Sequence, residues 1–187
     1  YQVLVASETK KLTEEQPDLW DSGKVASDAN FHVVYEGEPL ASGQRCFWKV
    51  RVWDEHDVRS PWSGVAQWSM GLLEAEDWQG DYIGLDPEAG DPDFPWLRKT
   101  FSLPAQPEQA FVYVNSLGYH ELYVNGKKVD DSVLAPAVTH FSKRSFYITY
   151  PLWNELREGE NCIALWLGHE RSKSRRLGLA RDLLPVL

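Results

Sequence analysis

The sequence predicts an all-β chain built from two β-sandwich modules, on three observations. Short runs of alternating apolar residues recur with turn residues between them, as antiparallel strands require. One run ends in Asn125-Gly126, a dipeptide that closes two-residue hairpins. Aromatic residues make up 13% of the chain, a composition that suits sandwich cores and sugar-stacking surfaces.

The first module covers residues 1–72. Tyr1–Ala6 alternates as a strand, Lys10–Leu12 and Pro17-Asp18 read as loop, and Leu19–Val25 is a short strand broken by a turn. Phe31–Tyr35 is predicted as a further strand. Cys46–Trp53 has the clearest alternation, with Cys46, Trp48, Val50 and Val52 on one face and Phe47, Lys49, Arg51 and Trp53 on the other. A polar loop follows over Asp54–Ser60, then a last strand near Ala66–Met70. The junction Gly71–Trp78 has enough Leu and Glu for one helical turn.

The second module covers residues 79–168. Asp86–Pro95 is an acidic, proline-rich loop. Strand character resumes over Trp96–Phe101 and Phe111–Asn115. Gly118–Tyr150 organises the module. In it Leu122 and Val124 face one way and Tyr119, Glu121 and Tyr123 the other. Asn125-Gly126 then turns the chain so that Leu122 meets Val129 across the hairpin. Ser145–Tyr150 is the next strand, Pro151–Leu156 a helical turn, Glu158–Asn161 a turn and Cys162–Leu167 a buried strand. Residues 169–187 form a tail to which the sequence assigns no structure.

The ordered string Gly118-Tyr119, Glu121-Leu122, Asn125-Gly126, Val129, Leu134, Pro136, Phe141, Arg144, Tyr147 resembles the N-terminal jelly-roll (galactose-binding-like) domain of bacterial α-L-rhamnosidases. The family usually has Gly-Trp-Thr after the proline, where this chain has Ala137-Val138-Thr139. In the first module, Val50-Arg51-Val52 and Ser60-Pro61-Trp62-Ser63 are similar to the last two strands of a fibronectin type III domain. The rhamnosidases carry such a module ahead of the jelly roll. On that correspondence Tyr1 opens the third strand of a partial module, which leaves a sheet edge and a core face open.

The resemblance implies a non-catalytic accessory or carbohydrate-binding region of a glycoside hydrolase. Its parent would release terminal α-L-rhamnosyl residues from rhamnose-containing glycans by the inverting route. The catalytic acids would lie in a downstream helical barrel of the same polypeptide, which makes that domain a partner of this one. A stand-alone lectin-like binding module and a structural or adhesion sandwich pair are the alternatives.

Composition narrows the partners. A net charge of −9 argues against nucleic acid and anionic membranes, which both need basic patches. No apolar run is long enough for a membrane-spanning helix, and no signal peptide is legible. The compartment stays open. Cys46 and Cys162 are expected as packed thiols.

No nucleophile motif, metal-binding spacing or phosphate loop is present in the sequence. The five His are scattered and read as surface or edge-strand residues. Glu121 and Asp130 fall nearly opposite each other on the hairpin, as a glycosidase pair needs, but a solvated face places carboxylates the same way. Asp91 and Asp93 of the acidic loop can offer oxygen ligands to Ca²⁺, although the interspersed prolines favour a solvated linker. Sugar contact is assigned to Trp96, Tyr119, Glu121, Asn125 and Pro136. For Trp96 the competing reading is core. Tyr119, Tyr123 and His120 are exposed candidates that compete with packing against the absent catalytic domain.

Overall fold

The computed structural model describes residues 1–83, 94–140 and 142–168. The chain divides into two compact units, Tyr1–Asp77 and Trp78–Leu187.

In the first unit, strands β1 (Gln2–Ala6), β2 (Trp20–Asp21), β3 (Arg45–Arg51) and β4 (Ala66–Ser69) form an antiparallel sheet in the order β2-β1-β3-β4. Val3 lies opposite Val50 and Leu4 opposite Lys49. One face therefore carries Leu4, Ala6, Phe47, Lys49 and Arg51. It is covered by α1 (Thr9–Thr13), whose Leu12 is fully buried against Leu4 and Ala6. Residues 10–12 are thus helical rather than loop. Burial of Leu12 holds this single turn in place, because five residues cannot stabilise a helix alone.

The same face explains Trp62. Its ring is approached by the Lys49 ammonium, 4.6 Å from the centroid, and by the Arg51 guanidinium, 4.2 Å away. Lys49 is itself buried and donates to the Leu12 carbonyl at 2.6 Å. A buried ammonium needs such a partner.

The opposite face bears Val3, Val5, Trp48 and Val50 and bounds a cleft of about 730 Å³. Phe31, Val33 and Tyr35 line this cleft, and residues 31–35 form no strand, contrary to the alternation of their sequence. Phe31 is 71% exposed. Tyr35 anchors the segment by donating to the Leu19 and Glu38 carbonyls and by packing its ring edge-on to Trp20. Side-chain anchoring replaces the ladder that the pattern suggested. A 3₁₀ turn at Ala75–Asp77 occupies the junction where one helical turn is expected.

In the second unit, β5 (Trp96–Leu103), β7 (His120–Val124), β8 (Lys127–Lys128) and β10 (Gly159–Leu167) make a sheet in the order β5-β10-β7-β8. Strands β6 (Phe111–Asn115) and β9 (Tyr147–Pro151) pair as a second sheet. The core lies between them. Leu122, Val124, Ile163, Leu165 and Leu167 face Val112, Val114 and Tyr150, and Leu152 and Leu156 of the following turn close one end. The period of two in β7 and β10 is that of strands with one buried face.

The β7–β8 turn is the expected one. Asn125 and Gly126 both have positive φ, 51° and 82°, and the Val129 amide donates to the Leu122 carbonyl. The turn is also tied down from outside the hairpin. The Asn125 Nδ2 donates to the Glu155 carbonyl and to Asn161 Oδ1, and its Oδ1 accepts from the Cys162 amide. Asn161, fully buried, donates to the Arg157 and Gly159 carbonyls and accepts from the Arg157 amide.

The left-handed backbone at Gly126 generates a prediction. A Cβ there meets nothing within 4 Å, so any penalty is backbone strain and not a clash. Gly126→Val should lower stability by about 1–3 kcal/mol, whereas Lys127→Ala should be nearly silent. Urea unfolding of both variants beside the parent checks this. A Gly126→Val curve that overlays the parent would contradict the turn geometry.

Candidate functional site

The outer face of the four-stranded sheet is built by register. Trp166 on β10 lies opposite Trp96 on β5 and opposite Glu121 on β7. In the next row Ala164 lies between Arg98 and Tyr123, and Tyr123 pairs with Lys128 on β8. All of these alternate with core residues, so all point away from the core.

Three of them are aromatic and touch. The Trp96 and Trp166 rings stack at 5.0 Å between centroids and 19° between planes. Trp96 also reaches over the small Ala164 to Tyr123, at 5.7 Å. Trp96 is 57% exposed and Trp166 39%. Trp96 is therefore a surface residue and not core.

Beside the rings sits a fixed carboxylate. Glu121 accepts from the Tyr123 hydroxyl at 2.7 Å and from Lys128 Nζ at 2.7 Å, and Lys128 also donates to the Ser132 carbonyl. The Lys128 hydrogen bond, helped by Tyr123, holds the Glu121 carboxyl below the usual carboxylate range. The same bonds raise Lys128 and Tyr123, both through Glu121. Glu121 is thus an anion committed to two donors, whereas a catalytic general acid must hold a proton. Asp130 turns away to Ser132, accepting from its hydroxyl at 2.7 Å.

Of the remaining sequence-assigned residues, Asn125 and Pro136 lie off this face, whereas Tyr119, two residues before Glu121, continues its outward side. The Asn125 amide is engaged in the contacts that fasten the hairpin. Pro136 is buried. Tyr119 is half-buried, and its carbonyl accepts from the Gly168 amide. Asp91 and Asp93 lie outside the described residues. Among the described residues no group of three His, Cys, Asp or Glu could hold a metal ion.

His120 corrects the expectation of an exposed histidine: it is 3% exposed, in the core between the sheets. The Ser116 hydroxyl donates to the Gly118 carbonyl at 2.7 Å, so its oxygen accepts from His120 Nδ1 at 2.7 Å. That leaves Nε2 to accept from the Tyr150 hydroxyl at 2.9 Å. A neutral imidazole is therefore built in, protonated on Nδ1. Burial pushes the His120 pKa down to about 4 and the Tyr150 phenol up. Sequence reading missed this group because Ser116, His120 and Tyr150 carry no motif. The signal was the period of two, which puts His120 on the same side as Leu122 and Val124.

The fold and face define a class: a two-module β-sandwich region with an aromatic surface and no paired catalytic carboxyls among the described residues. Residues 1–74 match the family described as the Rha78A-like N-terminal immunoglobulin domain, and residues 105–180 match the α-L-rhamnosidase N-terminal domain. The chain belongs with these families as an N-terminal region of the α-L-rhamnosidase type. It is 34% identical over 191 residues to an alpha-L-rhamnosidase of Formosa agariphila, covering 90% of this chain and 20% of that one. It is 36% identical to an alpha-L-rhamnosidase of Alteromonas sp. (strain LOR), covering 87% and 19%. The chain thus spans about a fifth of the length of these relatives. The alpha-L-rhamnosidase structure from Dictyoglumus thermophilum superposes with a TM-score of 0.86 at 34% identity, over 95% of this chain and 22% of that one. The Aspergillus terreus enzyme shares the fold, with a TM-score of 0.76 at 24% identity. The first module matches an immunoglobulin family where its last strands resemble fibronectin type III. Both are antiparallel sandwiches.

The buried imidazole sets a pH dependence. The folded pKa of about 4 lies below the ordinary 6.5, so the unfolded chain binds the proton first. The contribution of neutral His120 is complete above pH 6.5 and is lost as pH falls toward 4. It amounts to about 3 kcal/mol. Amide exchange at Ile163 and Leu165 should report stability falling over that window in the parent, and falling less in His120→Gln. Equal pH slopes would contradict the neutral, buried histidine.

Proposed function

We propose that this chain acts as the non-catalytic N-terminal accessory region of an enzyme that releases terminal α-L-rhamnosyl residues from rhamnose-containing glycans. The catalytic carboxyls would come from another domain of the same polypeptide. The observation that carries this is the alignment of nearly the whole chain with only a fifth of several alpha-L-rhamnosidases. The site chemistry supports it, because Glu121 is neutralised by Lys128 and Asp130 is bound to Ser132. Glycoside hydrolysis needs a protonated acid and a second carboxyl across one sugar, and these two groups do not supply it.

The 187-residue chain should show no saturable turnover of an aryl α-L-rhamnoside under conditions where a complete α-L-rhamnosidase is active. Release of the aryl group followed by absorbance checks this. Turnover abolished by Glu121→Gln would overturn the non-catalytic reading.

A further inference from the structure

We propose that the Trp96–Trp166–Tyr123 face of the second unit is a binding site for a pyranoside residue of a neutral glycan. It stands independently of the hydrolase assignment.

The placement of the aromatics is the first reason. Two tryptophans occupy facing, solvent-directed positions on neighbouring strands. Farther along the same face the outward residues are Thr100, Ser102, Glu160 and Cys162. The aromatic character is therefore confined to one end of the sheet. Leaving two indoles in water forgoes the burial that normally stabilises them, and a ligand that covers them restores it. The axial C–H groups of a pyranoside present a ring-sized apolar patch that stacks on an indole or phenol.

The second reason is the polar group beside the rings. Each Glu121 oxygen accepts one hydrogen bond from the protein, Oε1 from Lys128 and Oε2 from Tyr123. A carboxylate oxygen accepts about two, so each retains room for a sugar hydroxyl. The two donors fix the carboxylate in place, which spares the ligand the ordering cost. Arg98, in the row of Ala164 and Tyr123, adds N–H donors at the opposite rim.

Charge selects the ligand. Lys128 offsets Glu121 directly, so the carboxylate neither demands a cation nor repels a neutral hydroxyl. Nucleic acid would need a basic track along the rings, whereas this chain carries a net charge of −9. An apolar face with one fixed acceptor and flanking donors is the pairing that a neutral sugar presents in complement.

The test uses the 187-residue chain, with methyl α-L-rhamnopyranoside and methyl β-D-glucopyranoside as probes. Saturation-transfer NMR and calorimetric titration should show saturable millimolar binding of at least one, with transfer strongest to the ring C–H protons. Trp96→Ala and Trp166→Ala should each weaken it at least about tenfold, or about 1.4 kcal/mol. Phe31→Ala, in the first unit, should leave it unchanged. Circular dichroism and melting of each variant confirm that the fold is retained. Glu121→Gln, which keeps the shape and an acceptor oxygen, gives a second reading and should weaken binding less than loss of a ring. Absence of saturable binding of both probes overturns the proposal, as does binding that survives both tryptophan substitutions. Sedimentation that shows a dimer dissolved by Trp96→Ala would overturn it in favour of a face shared between two copies of the chain. None of these outcomes bears on whether the chain hydrolyses a rhamnoside, so the two readings fail separately.

Discussion

The second unit depends on one polar constraint, the pairing of Asn125 with Asn161. Asn125 stands at the tip of the β7–β8 hairpin, and Asn161 is buried near the start of β10. Between them they satisfy the backbone of the 155–161 turn and the first residues of β10. Buried polar groups are costly when unpaired and specific when paired. This pair fixes where the hairpin tip meets the central strand, and the register of β7 on β10 follows. A slip of one residue would exchange Leu122 and Val124 for Tyr123. It would empty the core and dismantle the aromatic face at once.

The register divides the hairpin's work between two sides. The inner side holds His120, Leu122 and Val124, with the imidazole locked between Ser116 and Tyr150. The outer side holds Glu121 and Tyr123, which join Lys128 and lie beside the two tryptophans. The same alternation builds both. The chemistry differs because one side is dry, so His120 stays neutral, and the other is wet, so Glu121 stays charged and paired.

Much of this was legible in the residues. The alternation over 119–124 and the Asn-Gly turn gave the hairpin with its correct faces, and β3 was assigned its two faces correctly. Other elements were not legible, for identifiable reasons. Residues 31–35 alternate like a strand but are anchored by Tyr35 to the Leu19 and Glu38 carbonyls, a tertiary effect that local pattern cannot show. Thr9–Thr13 is helical through burial of Leu12, which five residues of sequence do not reveal. Asn125 was recognised as a turn former and was also assigned to sugar contact. Its partners lie more than 29 residues away in sequence, so its structural role was invisible. Trp166 was read as part of a buried strand, and its stacking on Trp96 follows only from the β5–β10 register.

The most direct measurement separates the turn from the pairing. Asn125→Gly keeps a residue that accepts the left-handed backbone without penalty but deletes the amide. If the Asn125–Asn161 pairing governs the unit, this variant should lose about 1–3 kcal/mol. The loss should appear as faster amide exchange at Cys162 and Ile163 and an earlier urea transition. A variant that unfolds with the parent, with exchange unchanged at those amides, would show that turn geometry alone holds the hairpin and would contradict this account.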